Sequence, residues 1–174
     1  RVLQFFSWSF DASVSEWSTA LISGATLCIF SLDDRYNLDR ISDSINKYEI
    51  EVLTLPPKLS MMIQGCYRIK TLIVAGEECG KEVKIKWSGH TKLINAYGPT
   101  ESTVCATLIR VNNSKYKWNI PIGKPISNMS IYILDERKQP IPIGAIGELY
   151  TRGAGLARGY FTRAAPPAPN FLAP

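Results

Sequence analysis

Short apolar runs of strand length alternate with helix-periodic segments along the first 96 residues, and that alternation restricts the fold more than any other feature of the chain. Residues 13–22 place Val14, Trp17, Leu21 and Ile22 at helical spacing, and Gly24 follows as a stop signal. Residues 25–30 form an apolar run of strand length. Leu38, Ile41, Ile45 and Tyr48 return to the helical period, and Val52–Leu55 reads as a buried strand ended by Pro56-Pro57. A short helix through Leu59, Met61, Met62 and Ile63 leads to a strand at 71–75, and a helical stretch from 78 to 87 leads to a strand at 92–96. Strands joined by helices imply crossover connections, so the predicted class is α/β with a mostly parallel sheet flanked by helices. Past about Ile120 the pattern changes to short extended runs at 129–134 and 147–152, separated by turn-rich stretches at 135–140 and 142–144. This predicts an α/β portion over residues 1–120, a small antiparallel β subdomain over 121–163 and an exposed or frayed Pro-rich tail over 164–174.

Composition excludes several classes. A chain of 174 residues, 45% hydrophobic and 20% charged, suits one ordinary domain or two small subdomains rather than a disordered segment. No run of about 18 uncharged apolar residues occurs, which argues against a membrane partner. The opening Arg1-Val2-Leu3-Gln4-Phe5-Phe6-Ser7-Trp8 starts without Met, lacks the zones of a signal peptide and reads as a cut through a longer chain. Cys28, Cys66, Cys79 and Cys105 form no C-x-x-C pair, which disfavours a zinc knuckle or a disulfide scaffold and points to a reducing cytoplasm. His90, the sole histidine, lies in a turn-like stretch and reads as a solvated loop residue. The net charge of +5 draws attention to Lys81, Lys84, Lys86 and Lys92, but Glu77, Glu78 and Glu82 interrupt them. No Arg-rich arm or interleaved aromatic accompanies the cluster, so a solvated helix face is expected and no nucleic-acid partner.

Three stretches could carry chemistry. Asn95-Ala96-Tyr97-Gly98-Pro99-Thr100-Glu101 joins an aromatic ring, a Gly-Pro turn, a hydroxyl and a carboxylate in one strand-to-loop transition. A ring can stack on a base, a hydroxyl can bond a phosphate and a carboxylate can hold Mg²⁺, although a polar turn with a core Tyr explains the composition equally well. Gly153-Ala154-Gly155-Leu156-Ala157-Arg158-Gly159-Tyr160 is Gly-rich but has the spacing of neither a dinucleotide fingerprint nor a P-loop, and alone it reads as a tight connection. Phe10-Asp11-Ala12-Ser13 puts an acid before a helix, where it could cap the helix or pair with an ammonium group. In open α/β sheets ligands gather beyond the carboxyl ends of strands, and residues 54–57, 74–77 and 96–101 are such ends.

Taken in order and spacing, Phe10-Asp11-Ala12-Ser13, the 95–101 stretch and the segment Gly147-Glu148-Leu149-Tyr150-Thr151-Arg152 running on through Tyr160 closely resemble core motifs of nonribosomal peptide synthetase adenylation domains. Leu55-Pro56-Pro57 and Ala75-Gly76-Glu77 also resemble the family, and the likeness spans residues 1–163. It implies part of the N-terminal region of an adenylate-forming enzyme, with an amino-acid and adenine pocket in the α/β portion. It further implies activation of an amino acid with Mg-ATP to an aminoacyl-adenylate, then transfer to a phosphopantetheine thiol on a peptidyl carrier domain, with a condensation domain as neighbour. On these motifs Tyr97 would stack on adenine, and Gly76 and Glu77 would border it. Asn95 and Gly98 would complete the nucleotide-binding stretch, Thr100 would contact phosphate and Glu101 would assist Mg²⁺, these last two forming the catalytic pair. Asp11 would pair with the substrate α-ammonium, and Asp11, Ala12, Ser15, Thr54, Ile73, Ala75, Ala96, Val104 and Cys105 would line the amino-acid pocket.

Apart from Asp11 this lining is small, neutral or apolar, which leaves volume for a large side chain and disfavours a charged one. The set resembles aromatic-activating members, with Ser15 where a phenylalanine pocket often carries Trp, so tyrosine is expected first and phenylalanine or tryptophan next. Three family features have no counterpart: the phosphate loop ending in Lys-Gly, the ribose-holding Tyr-x-Thr-Gly-Asp, and the C-terminal subdomain with its lysine. The 174 residues alone are therefore expected to be inactive. Past Arg163, Phe171 keeps the family register while Pro166, Pro167 and Pro169 interrupt its helix. Alternatives are an acyl-CoA ligase of the same superfamily, which lacks an aspartate suited to an α-ammonium, and a non-catalytic module binding through the basic 81–92 face.

Overall fold

The computed structural model describes residues 1–31, 33–66, 68–112 and 119–160. The Pro-rich tail expected over 164–174, Phe171 included, lies outside the described residues. The chain divides into two compact units, 1–96 with 109–122, and 97–108 with 123–174.

In the first unit, β1 (Val2–Gln4), β2 (Leu27–Ile29), β3 (Val52–Leu55), β4 (Thr71–Val74) and β5 (Lys92–Tyr97, whose last residue belongs to the second unit) alternate with α1 (Asp11–Ile22), α2 (Leu38–Lys47), α3 (Pro57–Met62) and α4 (Lys81–Trp87). The strands pair in parallel in the order β2-β1-β3-β4-β5. This bears out the predicted α/β class with a mostly parallel sheet. β1 has no strand-length apolar signature of its own and was not anticipated; it forms because β2 and β3 offer backbone partners on both sides. Local chemistry sets the helix starts. The Asn37 carboxamide accepts from Asp39 N and Arg40 N, both at 3.1 Å, and caps α2. Pro57 occupies the first turn of α3, where its missing N–H costs nothing.

Parallel register fixes which side chains share a face. Leu53 and Leu55 of β3, Leu72 and Val74 of β4 and Leu93 of β5 lie on one face and are fully buried. They form a single core with Ile41 and Ile45 of α2 and Val83 and Trp87 of α4. Lys86 departs from the expected solvated helix face. Its Nζ donates to the carbonyls of Ser60 at 3.1 Å, Met61 at 2.8 Å and Ile63 at 2.6 Å, and the Trp87 indole N–H donates to Ser60 O at 3.2 Å. These carbonyls lie at the end of α3, where intrahelical donors run out, and a cation and an indole on the neighbouring helix supply donors. Lys81 and Lys92 remain exposed, and His90 sits exposed in the turn after α4, as expected. All four cysteines are free thiols. Among the described residues no helix is long and apolar enough to cross a membrane.

A buried polar network joins α1 to β1. Glu16 is 2% exposed, and its Oε2 accepts from Phe5 N and Phe6 N, each at 3.1 Å. Gln4, wholly buried, donates through Nε2 to Phe6 O and accepts from Arg35 at 3.2 Å. Burial pushes the Glu16 carboxyl up from 4.5 to about 7, against the opposing pull of the two backbone N–H groups and of Arg35.

The second unit carries β6 (Thr107–Arg110, whose last two residues belong to the first unit), β7 (Lys124–Pro125), β8 (Met129–Leu134) and β9 (Glu148–Gly153). β6 and β7 are antiparallel with Leu108 opposite Lys124, and β8 and β9 are antiparallel from Met129 opposite Gly153 to Leu134 opposite Glu148. β6 and β7 extend the larger sheet, and the β8–β9 pair is the small antiparallel element expected after the α/β portion. The Asp135 carboxylate shapes the turn after β8 by accepting from Arg137 N at 2.9 Å and Gln139 N at 2.8 Å.

Two stability outcomes follow from this packing. Because the folded-state value of Glu16 is raised, its contribution is fully present below about 4.5 and is lost as pH rises through about 7, a span worth about 3 kcal/mol. Glu16→Gln keeps an acceptor for the two N–H groups and removes that dependence, so denaturant unfolding at pH 5 and pH 8 should differ more in the parent than in the variant. Leu72→Ala, in the fully buried layer, should lower unfolding free energy by about 2–5 kcal/mol at either pH.

Candidate functional site

The second face of the parallel sheet is built differently from the core face. Register places Thr54 of β3 beside Ile73 of β4 and Ile94 of β5, with Ala75 and Ala96 two residues further along the same face. Thr54 is 8% exposed, whereas Ile73, Ala75, Ile94 and Ala96 are only half-buried. Connections leave β1 toward β2 on one side, and the later strands build outward on the other. Right-handed crossovers then put α1 on the opposite face from α2 and α4. The reversal makes β1 and β3 a switch point, the position where open α/β sheets bind ligands.

α1 begins at that end. Asp11 is its first residue, Phe10 holds the cap position and no side chain caps the helix, so the capping reading of Asp11 fails. Ser13 Oγ donates to Phe10 O at 2.7 Å and Ser15 Oγ to Ala12 O at 2.9 Å. Asp11, Ala12 and Ser15 are half-buried. The Glu16 bonds to Phe5 and Phe6 tie the first turns of α1 to the chain leaving β1. Beyond β4, Gly76 has φ +86°, a left-handed conformation that only glycine adopts without strain. Glu77 follows, exposed, its carboxylate 3.5 Å from Lys58 N. A groove of about 580 Å³ lined by Pro57, Lys58, Met61, Glu77 and Val83 opens here, and it takes in none of Thr54, Ile73, Ala75 or Ala96. Asn95 alternates to the core face, is 4% exposed and donates through Nδ2 to Pro121 O at 3.0 Å. That bond accounts for a buried amide in an apolar layer.

The second unit holds Tyr97, Gly98, Thr100, Glu101, Val104 and Cys105 in one tight turn. Tyr97 ends β5 with 39% exposure, and its carbonyl accepts from Ala106 N at 2.8 Å. Gly98 passes so close to the returning chain that a Cβ would lie 2.7 Å from Val104 O, Cys105 Cα and Ala106 N. Thr100–Ser102 form a single 3-10 turn, with Ser102 Oγ donating to Pro99 O at 2.8 Å. Thr103 and Val104 follow at φ +57° and +67°, left-handed conformations that cost a β-branched residue roughly 1–3 kcal/mol. Cys105 Sγ donates to Thr107 O at 3.0 Å, and burial raises its thiol pKa.

Thr100 is exposed and Glu101 half-buried. Glu101 Oε1 accepts from the Tyr160 hydroxyl, which with its own backbone N–H holds the carboxyl below the usual range. Among the described residues no three His, Cys, Asp or Glu gather as a metal cage. A single carboxylate beside a hydroxyl is nonetheless a donor set that suits Mg²⁺, which takes one or two carboxylates and draws further oxygens from phosphates.

Sequence reasoning missed the Tyr160 partnership, because 59 residues separate it from Glu101 and no periodicity links them. It also missed Glu16, which carries no local signal: an acid one helical turn past Ala12 reads as solvent-facing until the β1 end is in place.

A family model described as AMP-binding enzyme matches residues 1–161. The chain is 43% identical to gramicidin S synthase 1 of Brevibacillus brevis, covering 94% of this chain and 15% of that protein. It is 38% identical to bacitracin synthase 3 of Bacillus licheniformis, covering 99% of this chain and 3% of that protein. A crystal structure of a four-domain nonribosomal peptide synthetase bound to AMP and glycine superimposes with a TM-score of 0.83 at 30% identity, over 92% of this chain and 12% of that one. The chain thus spans a small part of the length of these relatives. A parallel sheet with a switch-point end, a family match across nearly all described residues and synthetase relatives over the whole segment agree: the chain belongs to the AMP-binding enzyme family, as a segment of an adenylation domain of the nonribosomal peptide synthetase type.

Proposed function

We propose that the protein carrying this segment activates an amino acid for peptide assembly in the cytoplasm. The amino-acid carboxylate attacks the α-phosphorus of Mg-ATP, pyrophosphate leaves, and the aminoacyl-AMP so formed passes its acyl group to the phosphopantetheine thiol of a peptidyl carrier domain, releasing AMP. A condensation domain then uses the loaded carrier. AMP and glycine in the related four-domain synthetase support a nucleotide and an amino acid as the ligand pair. The substrate is aromatic, with tyrosine favoured.

The observation that carries this reading is the sheet face on which the buried Thr54 and the half-buried Ile73, Ala75 and Ala96 align at the carboxyl ends of β3–β5, next to a switch point. Small side chains there leave room for a ring, and apolar ones favour it over a charged group. Asp11, uncommitted to helix capping at the start of α1, supplies a carboxylate for the α-ammonium. Ser15 takes the place where a phenylalanine pocket carries Trp, which adds volume and a hydroxyl.

For the nucleotide, the half-exposed Tyr97 ring of the second unit offers a surface on which a base stacks. Gly98 permits the chain reversal beneath it, and Asn95, committed to Pro121 O, anchors the strand end that presents Tyr97. Thr100 donates to phosphate and Glu101 holds Mg²⁺, which when bound neutralises phosphate charge. On this reading, steady pyrophosphate release from the 174 residues alone is not expected.

Amino-acid-dependent ATP/pyrophosphate exchange by the whole synthetase tests the reading. Tyrosine should lead a panel of all common amino acids and several aryl and fatty acids. Asp11→Ala should lower kcat/KM for the amino acid by about 30-fold or more, the cost of leaving a charged partner unpaired. Ser15→Trp should cut the preference for tyrosine by about tenfold. Exchange driven only by carboxylic acids without an amino group would move the protein to the acyl-CoA ligases, and exchange led by a small or charged amino acid would overturn the pocket assignment.

A further inference from the structure

The Gly-rich segment after β9 reads from sequence as a tight connection, yet within the second unit it does something specific to the 100–104 turn. Three hydrogen bonds join them. Ala157 N donates to Glu101 O at 2.7 Å, Thr103 Oγ1 donates to Gly155 O at 2.6 Å, and the Tyr160 hydroxyl donates to Glu101 Oε1. The approach is tight: a Cβ on Gly155 would lie 3.0 Å from Met129 Sδ and 3.1 Å from Ser102 O. The braced turn is also the one that holds Thr103 and Val104 left-handed, a conformation that persists only where surrounding contacts over-determine it. A loop that grips one turn by its backbone, by its strained threonine and by its carboxylate is more than a connection.

We propose that residues 153–160 are a brace for the 100–104 turn, and that Tyr160 is a positioning residue for Glu101. Its hydroxyl occupies one carboxylate oxygen and thereby orients the other, Oε2, toward a hard cation. This rests on the assignment of Glu101 to Mg²⁺ in the proposed function. Tyr160 touches no reacting atom in this scheme and acts only through Glu101. Freed of the hydroxyl, the carboxylate rotates about its terminal torsion and loses the orientation on which metal affinity depends.

The test uses the whole synthetase with ATP present and reads divalent-ion binding directly, by electron paramagnetic resonance of free Mn²⁺, alongside exchange kinetics. Tyr160→Phe keeps the ring and removes the hydroxyl. It should raise the Mn²⁺ dissociation constant and the half-saturating Mg²⁺ concentration by about tenfold, the worth of one hydrogen bond to a charged group, while KM for the amino acid stays within twofold. Glu101→Gln should weaken the ion at least as much. If Glu101→Gln weakens it and Tyr160→Phe leaves ion binding unchanged or tighter, the positioning role is wrong and the metal assignment stands. If Glu101→Gln itself binds Mn²⁺ as the parent does, the metal assignment falls and the proposal with it. A rise in amino-acid KM equal to the loss of ion affinity in Tyr160→Phe would mark a general structural effect and also overturn the proposal.

Discussion

Parallel strands cannot be joined by tight turns, and this requirement governs the first unit. Each strand must be followed by a crossover long enough to return the chain to the same end, and the crossovers must cover the sheet with apolar helix faces. Leu53, Leu55, Leu72, Val74 and Leu93 supply one fully buried layer against α2 and α4. Since every strand then ends on the same side, residues 54–57, 74–77 and Ala96 come out together. The candidate site is a by-product of that directionality, which leaves the loops at the carboxyl ends free to carry chemistry while the layers beneath carry stability.

Three polar side chains inside this frame each have a definite partner. Lys86 closes α3, Asn95 holds Pro121 and Glu16 receives two backbone N–H groups at the end of β1. The Glu16 carboxylate is the costly one, since burial works against its charge more than its bonds support it. It lies five residues from Asp11 on α1, so the same contact that penalises the folded state at high pH also fixes the helix from which the proposed ammonium partner projects. Strain follows a similar pattern in the second unit, where the left-handed Thr103 and Val104 sit beside the candidate catalytic pair and are held by the Gly-rich loop.

Much of the fold was legible locally. Apolar period alone located α1, α2, α4 and β2–β5 to within a few residues, because a helix or strand that must bury one face repeats its apolar residues at that element's spacing. β1, β6 and β7 were not found. They are short, and they exist because neighbouring strands offer backbone partners, a cause that lies outside their own residues. Asp11 could be read either as a helix cap or as a partner for an ammonium group, and the cap position falls one residue earlier, on Phe10. Lys86 looked solvated and is not, since a neighbouring helix end needed a donor.

The sequence by itself determined the class of chain this is. Apolar period set the α/β pattern, and three ordered motifs carried the resemblance to adenylation domains, because residue type and spacing are properties a chain has before it folds. Tertiary structure alone decided which side chains meet: that Thr54, Ile73, Ala75 and Ala96 share one face, that Glu16 serves the end of β1, and that Tyr160 reaches Glu101 across 59 residues. Those pairings depend on strand register and loop return, which arise from hydrogen bonds and packing between distant segments and leave no trace in local spacing.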